Sequence, residues 1–175
     1  MKKKNIEELQ RISIDEYKSV EKMRLVVVLD NVRSLHNVGS VFRTSDAYLV
    51  EKIFLCGITA TPPLAEIHKT ALGAEDTVEW EYSQDTENAV TQLKNAGYIV
   101  FAIEQVEESI SLEDLKLDSR MKYAVVLGNE VKGVKQAVVD MCDACIELPQ
   151  FGTKHSLNVS VTAGIVIWEF FKQMK

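Results

Sequence analysis

Cysteine is scarce. The chain of 175 residues has three, an odd number, so no disulfide framework holds it and stability must come from a core. The free thiols suit a reducing cytoplasm. Prolines also number three, and no low-complexity segment or internal repeat is visible. No apolar run reaches the roughly 18 residues of a membrane span. The Lys-rich start Met1–Lys4 runs into polar NIEELQ, so no signal peptide is expected. Positive charge is in deficit, with 20 Lys and Arg against 26 Asp and Glu and a net charge of -6. That argues against indiscriminate nucleic-acid binding but leaves room for a local basic patch. The phosphate-loop and dinucleotide fingerprints are missing, as are G-x-S-x-G and H-E-x-x-H. His36, His68 and His155 lack metal-ligand spacing. Cys142 and Cys145 form C-D-A-C with no second pair to complete a zinc site. That pair ends a helix and enters a strand, so it reads as structural thiols, and no metal is expected.

What is present is enough for one domain. Apolar residues make up 46% of the chain, and strand and helix patterns alternate along it. Ile6–Met23 reads as an N-terminal helix. Leu25–Asp30, LVVVLD, is a β-branched run of the kind buried on both faces of a sheet. A polar loop and the helix VGSVFRTSDAYLV follow, then a strand at Lys52–Gly57. Pro62 and Pro63 precede a short helix that stops near Gly73. After the strand TVEWEYS, Asp85 caps a helix that ends at Gly97. YIVFAIEQ is a strand, SLEDLKL a helical turn, KYAVVLGNE a strand, GVKQAVVDMCD a helix and ACIELP a last strand. The pattern predicts an α/β fold with a mostly parallel central sheet and helices on both faces. Residues 1–24 form a helical extension and 25–175 the domain.

In such folds ligands bind beyond the carboxyl ends of the strands. Three loops of unusual composition fall there. In the first, Asn37, Gly39 and Arg43 make N-x-G-x-x-x-R. Gly39 lets backbone approach a ligand at a helix N-terminus, or the helix is simply capped and Arg43 pairs with Asp46 or Asp30. In the second, Gly128 ends a buried strand and Glu130 follows, either as a site carboxylate or as a solvated turn residue. The third is KHSLNVSVTAGIVIWEFF from Lys154. Its first half alternates as a strand would, and its Ser156 and Asn158 also suit a helix start, as a cap or as a site.

Together the segments HNVGSVFRTSDA, VVLGNEVKGV and IELPQFGTKHSLNVSVTAGIVIWE resemble, in order and spacing, the three motifs of the SpoU/TrmH family. These are AdoMet-dependent RNA ribose 2′-O-methyltransferases of the SPOUT class. The resemblance covers about residues 24–171. It implies a C-terminal trefoil knot and a buried last helix. Leu157, Val161, Ile165 and Trp168 would make one stripe of that helix, and Val159, Ala163, Val166 and Phe170 another. Gly164 would allow close packing.

The resemblance also implies a site. S-adenosyl-L-methionine would be held by backbone groups at Leu127, Gly128, Ile146, Leu148 and Leu157, completed by Ala102, Ile103 and Glu104. Arg43 matches the catalytic arginine, Asn37 and Asn158 would orient ribose and cofactor, Glu130 would anchor the loop, and Ser156 would support the same network. His36 matches a position that contacts RNA, and Lys154 joins it. Arg11, Lys18 and Lys22 read either as a solvated helix face or as a guide for RNA. A homodimer is implied, with Trp168, Phe170 and Phe171 at its interface. No appended RNA-binding domain is expected on either side, which leans toward tRNA over rRNA as substrate. Two other readings stay open: a non-catalytic RNA- or ribosome-binding module on the same fold, and a generic α/β nucleotide enzyme.

Overall fold

The computed structural model describes residues 1–5 and 7–175. The expected start of the first helix at Ile6 lies outside the described residues. The rest of that expectation is corrected. A 3₁₀ turn at Glu7–Leu9 is separated from a short helix, α1, at Ile14–Ser19. The break is set by Ser13, which is extended (φ -71°, ψ 167°) and forms a capping box with Glu16. The Glu16 amide donates to Ser13 Oγ at 3.3 Å, and the Ser13 amide donates to the Glu16 carboxylate at 2.7 Å. Tyr17 is the one buried residue of α1 and pins the extension to the domain.

The domain runs β1 (Met23–Asp30), α2 (Leu35–Ala47), β2 (Val50–Cys56), α3 (Ala65–Ala71), α4 (Ala74–Thr77), β3 (Trp80–Ser83) and α5 (Thr86–Asn95). It continues with β4 (Tyr98–Ile103), β5 (Ile110–Ser111), β6 (Lys122–Leu127), α6 (Gln136–Val139), β7 (Ala144–Glu147) and α7 (Val159–Met174). The seven strands form one sheet in the order β3-β2-β1-β6-β4-β7-β5, and every pair is parallel. The β-branched run of β1 lies in the interior of this sheet, buried on both faces. Leu25, Val27 and Leu29 pack with α2, α3 and α7, including Phe42, Ile67 and Phe170. Val26 and Val28 pack on the other face with Ala89, Val90 and Leu93 of α5. Each large side chain fully buried this way contributes about 1.5–3 kcal/mol.

Several boundaries depart from the sequence pattern. Ser34 caps α2, accepting from the Asn37 amide at 3.3 Å, so the helix starts at Leu35 and takes Asn37 and Gly39 inside it. Gly39 serves packing there, not ligand approach. A Cβ on it would lie 2.3 Å from the Ile67 carbonyl oxygen of α3. The expected helical turn at SLEDLKL is preceded by β5, which adds an edge strand beside β7. The helix GVKQAVVDMCD shrinks to the four residues of α6.

The last segment is helical from Val159, with Asn158 as its cap. It is not buried all round. Val159, Ala163, Val166 and Phe170 face the core, whereas Val161, Ile165 and Trp168 are 51%, 40% and 49% exposed. A Cβ on Gly164 would meet nothing within 4 Å, so the glycine is not required there for close packing. Phe170 is a core residue, packed against Phe101 and Tyr123 at ring distances of 6.3 and 5.7 Å, so it is removed from the expected interface. Trp168 and Phe171 cluster with Tyr48, the C-cap of α2.

Candidate active site

The carboxyl ends of β4, β6 and β7 open into a cavity of about 690 Å³. Parallel strands put the C-terminal ends, and the loops that leave them, on one edge. Ile103, Leu127, Ile146, Leu148 and Leu157 give the cavity apolar walls. Glu104, Gly128, Glu130, Ser156 and Asn158 also line it. Ala102 does not. Side chains alternate along β4, so Ala102 packs into the cluster on the α5 face while Phe101 and Ile103 face the other way.

The first wall is the loop after β6. Asn129 and Gly133 exchange backbone hydrogen bonds of 3.0 and 2.9 Å. The Asn129 side chain accepts from the amides of Val131 and Lys132 and donates to the Asn31 carbonyl at 2.7 Å. The Glu104 carboxylate accepts from the Val134 amide at 3.0 Å and fixes the loop's far end. Gly133 is required twice, by φ +67° and because a Cβ would lie 2.1 Å from the Glu104 carboxylate. A Cβ on Gly128 would lie 2.1 Å from the Gly133 carbonyl carbon, so its lack of a side chain serves the loop's own closure.

The second wall is the segment 149–158 between β7 and α7. Among the described residues, 149–157 make no backbone–backbone hydrogen bond, and the His155 carbonyl accepts from Gln105 Nε2 at 3.2 Å. Its main-chain groups are therefore open to a ligand.

A chain of hydrogen bonds ties the three loops together. Glu130 accepts from the Arg33 and Ser34 amides, both at 2.9 Å, and from Asn37 Nδ2 at 3.0 Å. Asn158 Nδ2 donates to Asn37 Oδ1 at 3.1 Å, and Asn158 Oδ1 accepts from the Ser160 amide at 2.9 Å. Burial opposes ionisation of Glu130, but these donors outweigh it and hold the carboxyl below its ordinary range. The solvated-turn reading of Glu130 is thereby replaced by an anchoring one.

Other expected residues lie elsewhere. Arg43 is exposed, is not among the cavity-lining residues, and forms no ion pair among the described residues. The pairing with Asp30 or Asp46 is thus not made. Asp30 accepts instead from Thr86 Oγ1 and the Lys135 amide, and Asp46 from Thr77 Oγ1. His36 lies two turns before Arg43 on the same side of α2, and its Nε2 is 3.0 Å from the Glu66 carboxylate. Arg11, Lys18 and Lys154 are exposed. Lys22 turns back onto its own segment, donating to the Tyr17 and Val20 carbonyls. Pattern reading missed Asn129, Gln105 and Thr162 on the cavity; the place of Asn129 between Gly128 and Glu130 was the available signal. Burial pushes the Cys142 thiol up to about 12, which keeps it unreactive. Among the described residues no His, Cys, Asp and Glu cluster could hold a metal ion, and no helix is long and apolar enough to cross a membrane.

A parallel sheet whose carboxyl edge carries a cavity walled by two of these loops, with the third bonded to both, is an α/β arrangement of the kind that the sequence resemblance implied. The chain matches the SpoU rRNA Methylase family over residues 24–168 and belongs to it. It is 28% identical over 160 residues to a putative TrmH family tRNA/rRNA methyltransferase of Staphylococcus saprophyticus, spanning 91% of this chain and 63% of that protein. It is 32% identical over 149 residues to the 23S rRNA (guanosine-2′-O-)-methyltransferase RlmB of Nitrosomonas europaea, spanning 85% and 56%. The chain thus spans less than two thirds of the length of these relatives. Among solved structures, the A. aeolicus TrmH/SpoU tRNA modifying enzyme superposes with a TM-score of 0.80 at 28% identity, covering 91% of this chain and 80% of that one. The AdoMet-bound rRNA methyltransferase from Sinorhizobium meliloti also gives 0.80, at 25% identity, covering 91% and 60%. The sheet and the return of α7 to pack on α2 are consistent with the trefoil threading of this fold.

Proposed function

We propose that the cavity binds S-adenosyl-L-methionine and that the protein methylates a ribose 2′-hydroxyl of RNA, tRNA ahead of rRNA. The observation that carries this is that the second and third motif loops wall one cavity, and that Asn37 of the first motif is tied to both by the Glu130–Asn37–Asn158 chain. The residues fit the cofactor. Leu127, Ile146 and Leu148 offer an apolar bed for adenine, open main-chain groups of 149–157 offer partners for its nitrogens, and Glu104 is an acidic neighbour for a cation. When bound, S-adenosyl-L-methionine supplies an electrophilic methyl group on its sulfonium.

The protein's own share is orientation and charge. Asn158 lines the cavity and positions ribose and cofactor; Asn37, buried and outside the lining, orients them through Asn158, while Glu130 anchors Asn37 and Ser156 adds a hydroxyl on the cavity wall. Arg43 is not a base, since a guanidinium has a pKa above about 12. It binds the neighbouring phosphate and stabilises negative charge developing on the 2′-oxygen. Because Arg43 stands outside its own cavity, it acts at the cavity of a second copy. The apolar stripe Val161, Ile165 and Trp168, exposed on α7, supports that homodimer. His36, Lys154, Arg11 and Lys18 contribute exposed cationic or polar contacts to RNA. With so acidic a chain, RNA shape outweighs the number of phosphate contacts. The preference for tRNA rests on likeness to the A. aeolicus enzyme. Free cysteines suit the cytoplasm as its place of work.

The test is methyl transfer from labelled S-adenosyl-L-methionine to separate pools of unmodified tRNA and rRNA, with Arg43→Ala alongside. Ribose methylation of the tRNA pool, lost in the variant, is expected. Cofactor binding without transfer to either pool refutes the activity, and transfer to rRNA alone refutes the substrate preference.

A further inference from the structure

Phe151 is 96% exposed, the most exposed aromatic side chain on the molecule. It stands on the 149–158 segment, one residue after Gln150 and shortly before His155 and Ser156, all three of which line the cavity. Its own ring is outside the lining, so it is not part of the cofactor's bed. Its neighbours Gly152, Thr153, Lys154 and His155 are all exposed, and a Cβ on Gly152 would meet nothing within 4 Å, which leaves open space beside the ring. The tip of the other cavity loop repeats the pattern, with Val131 76% exposed and Lys132 exposed beside it.

A lone planar apolar face in a cationic, hydrogen-bonding frame differs from the contiguous apolar stripe of α7. The stripe suits another protein surface. An isolated ring with Lys154 three residues on along the same segment, and Lys132 on the other cavity loop, suits a ligand that is itself planar, apolar on its faces and anionic along its backbone. Unpaired RNA has that chemistry, and proteins read it by stacking bases on aromatic side chains. We propose that Phe151 stacks on a nucleobase of the substrate RNA at the mouth of the cavity and positions the strand for reaction. The proposal rests on the reading of the protein as an RNA methyltransferase.

The experiment compares wild type, Phe151→Ala and Phe151→Trp. Affinity for fluorescein-labelled unmodified tRNA transcripts and for 23S rRNA fragments is measured with methyl-transfer kinetics, S-adenosyl-L-methionine calorimetry and sedimentation. Phe151→Ala is expected to weaken RNA binding and raise the RNA KM about 5- to 150-fold, the effect of one lost base stack. Its kcat, cofactor affinity and oligomeric state stay unchanged, and Phe151→Trp restores RNA binding. Unchanged RNA affinity in Phe151→Ala overturns the proposal. So does a parallel fall in cofactor affinity, which assigns the ring to adenine, or a change in sedimentation, which assigns it to a subunit contact. If RNA binding depends on Phe151 but wild type transfers no methyl group, the stacking role stands and the methyltransferase reading falls. If wild type binds neither RNA, both fall.

Discussion

Replacing Asn37 with alanine cuts the link between α7 and the loop after β6. Asn37 is 8% exposed and makes two side-chain bonds, to Glu130 at 3.0 Å and from Asn158 at 3.1 Å. The first is charge-assisted, but Glu130 keeps two backbone donors, so its loss takes the low end of the range, about 1.5 kcal/mol. The second, between neutral groups, adds about 0.5–1 kcal/mol. Asn37→Ala is therefore expected to cost about 2 kcal/mol, read as a fall in melting temperature of about 4–8 °C. Urea unfolding at a single protein concentration gives the free energy without mixing in association. Asn37→Asp sharpens the test, because it sets a second carboxylate against Glu130. The pair resists ionisation, so the penalty is full at pH 7 and relieved as pH falls below about 5 and one member takes a proton. The reasoning is refuted if Asn37→Ala stays within about 0.5 kcal/mol of wild type, or if the Asn37→Asp deficit does not change with pH.

Gly133→Ala forces a side chain into positive φ and against the Glu104 carboxylate, so a loss of more than about 1 kcal/mol is expected, with cofactor affinity falling too; thermal melting with and without S-adenosyl-L-methionine checks both. Glu130, whose folded pKa is depressed, stabilises fully above the unfolded value of about 4.3 and loses that contribution as pH falls through the folded value. Glu130→Gln should therefore flatten the acid limb of the stability profile, measured by urea unfolding between about pH 3 and pH 7. Arg43→Ala mixed and refolded with a cavity variant, Asn158→Ala, should regain methyl transfer that neither has alone, since one cavity of the heterodimer then keeps both groups. No recovery in the mixed dimer rejects action across subunits.

Much of this architecture is written in local pattern. The run at β1 declares a strand buried on both faces, Asp85 caps α5 by accepting from the Asn88 amide, and the three polar loops fall on one sheet edge. What escaped pattern reading depends on partners distant in sequence. Gly39 looks like a ligand-facing glycine until α3 is seen against it. Ala102 belongs with its neighbours until strand alternation turns it to the other face. The N-terminal stretch carries helical spacing throughout, yet the Ser13 cap starts a new helix within it. For α7, hydrophobicity on two stripes marks burial without saying whether the cover comes from the same chain.

The strand order also bears on how the chain is made. β1 has β2 on one side and β6 on the other, with Leu25 opposite Tyr123, so its two neighbours arrive at very different times during synthesis. β1, β2 and β3 can pair early, but the second edge of β1 stays bare until more than half of the chain has followed. During that interval a β-branched edge is open to any passing strand. Its neighbour β6 carries the cavity loop directly behind it, so the step that seals this edge also delivers the loop to the site. Protection of that edge and delivery of the first cavity wall are thus the same event, and the second wall, 149–158, is added only after it.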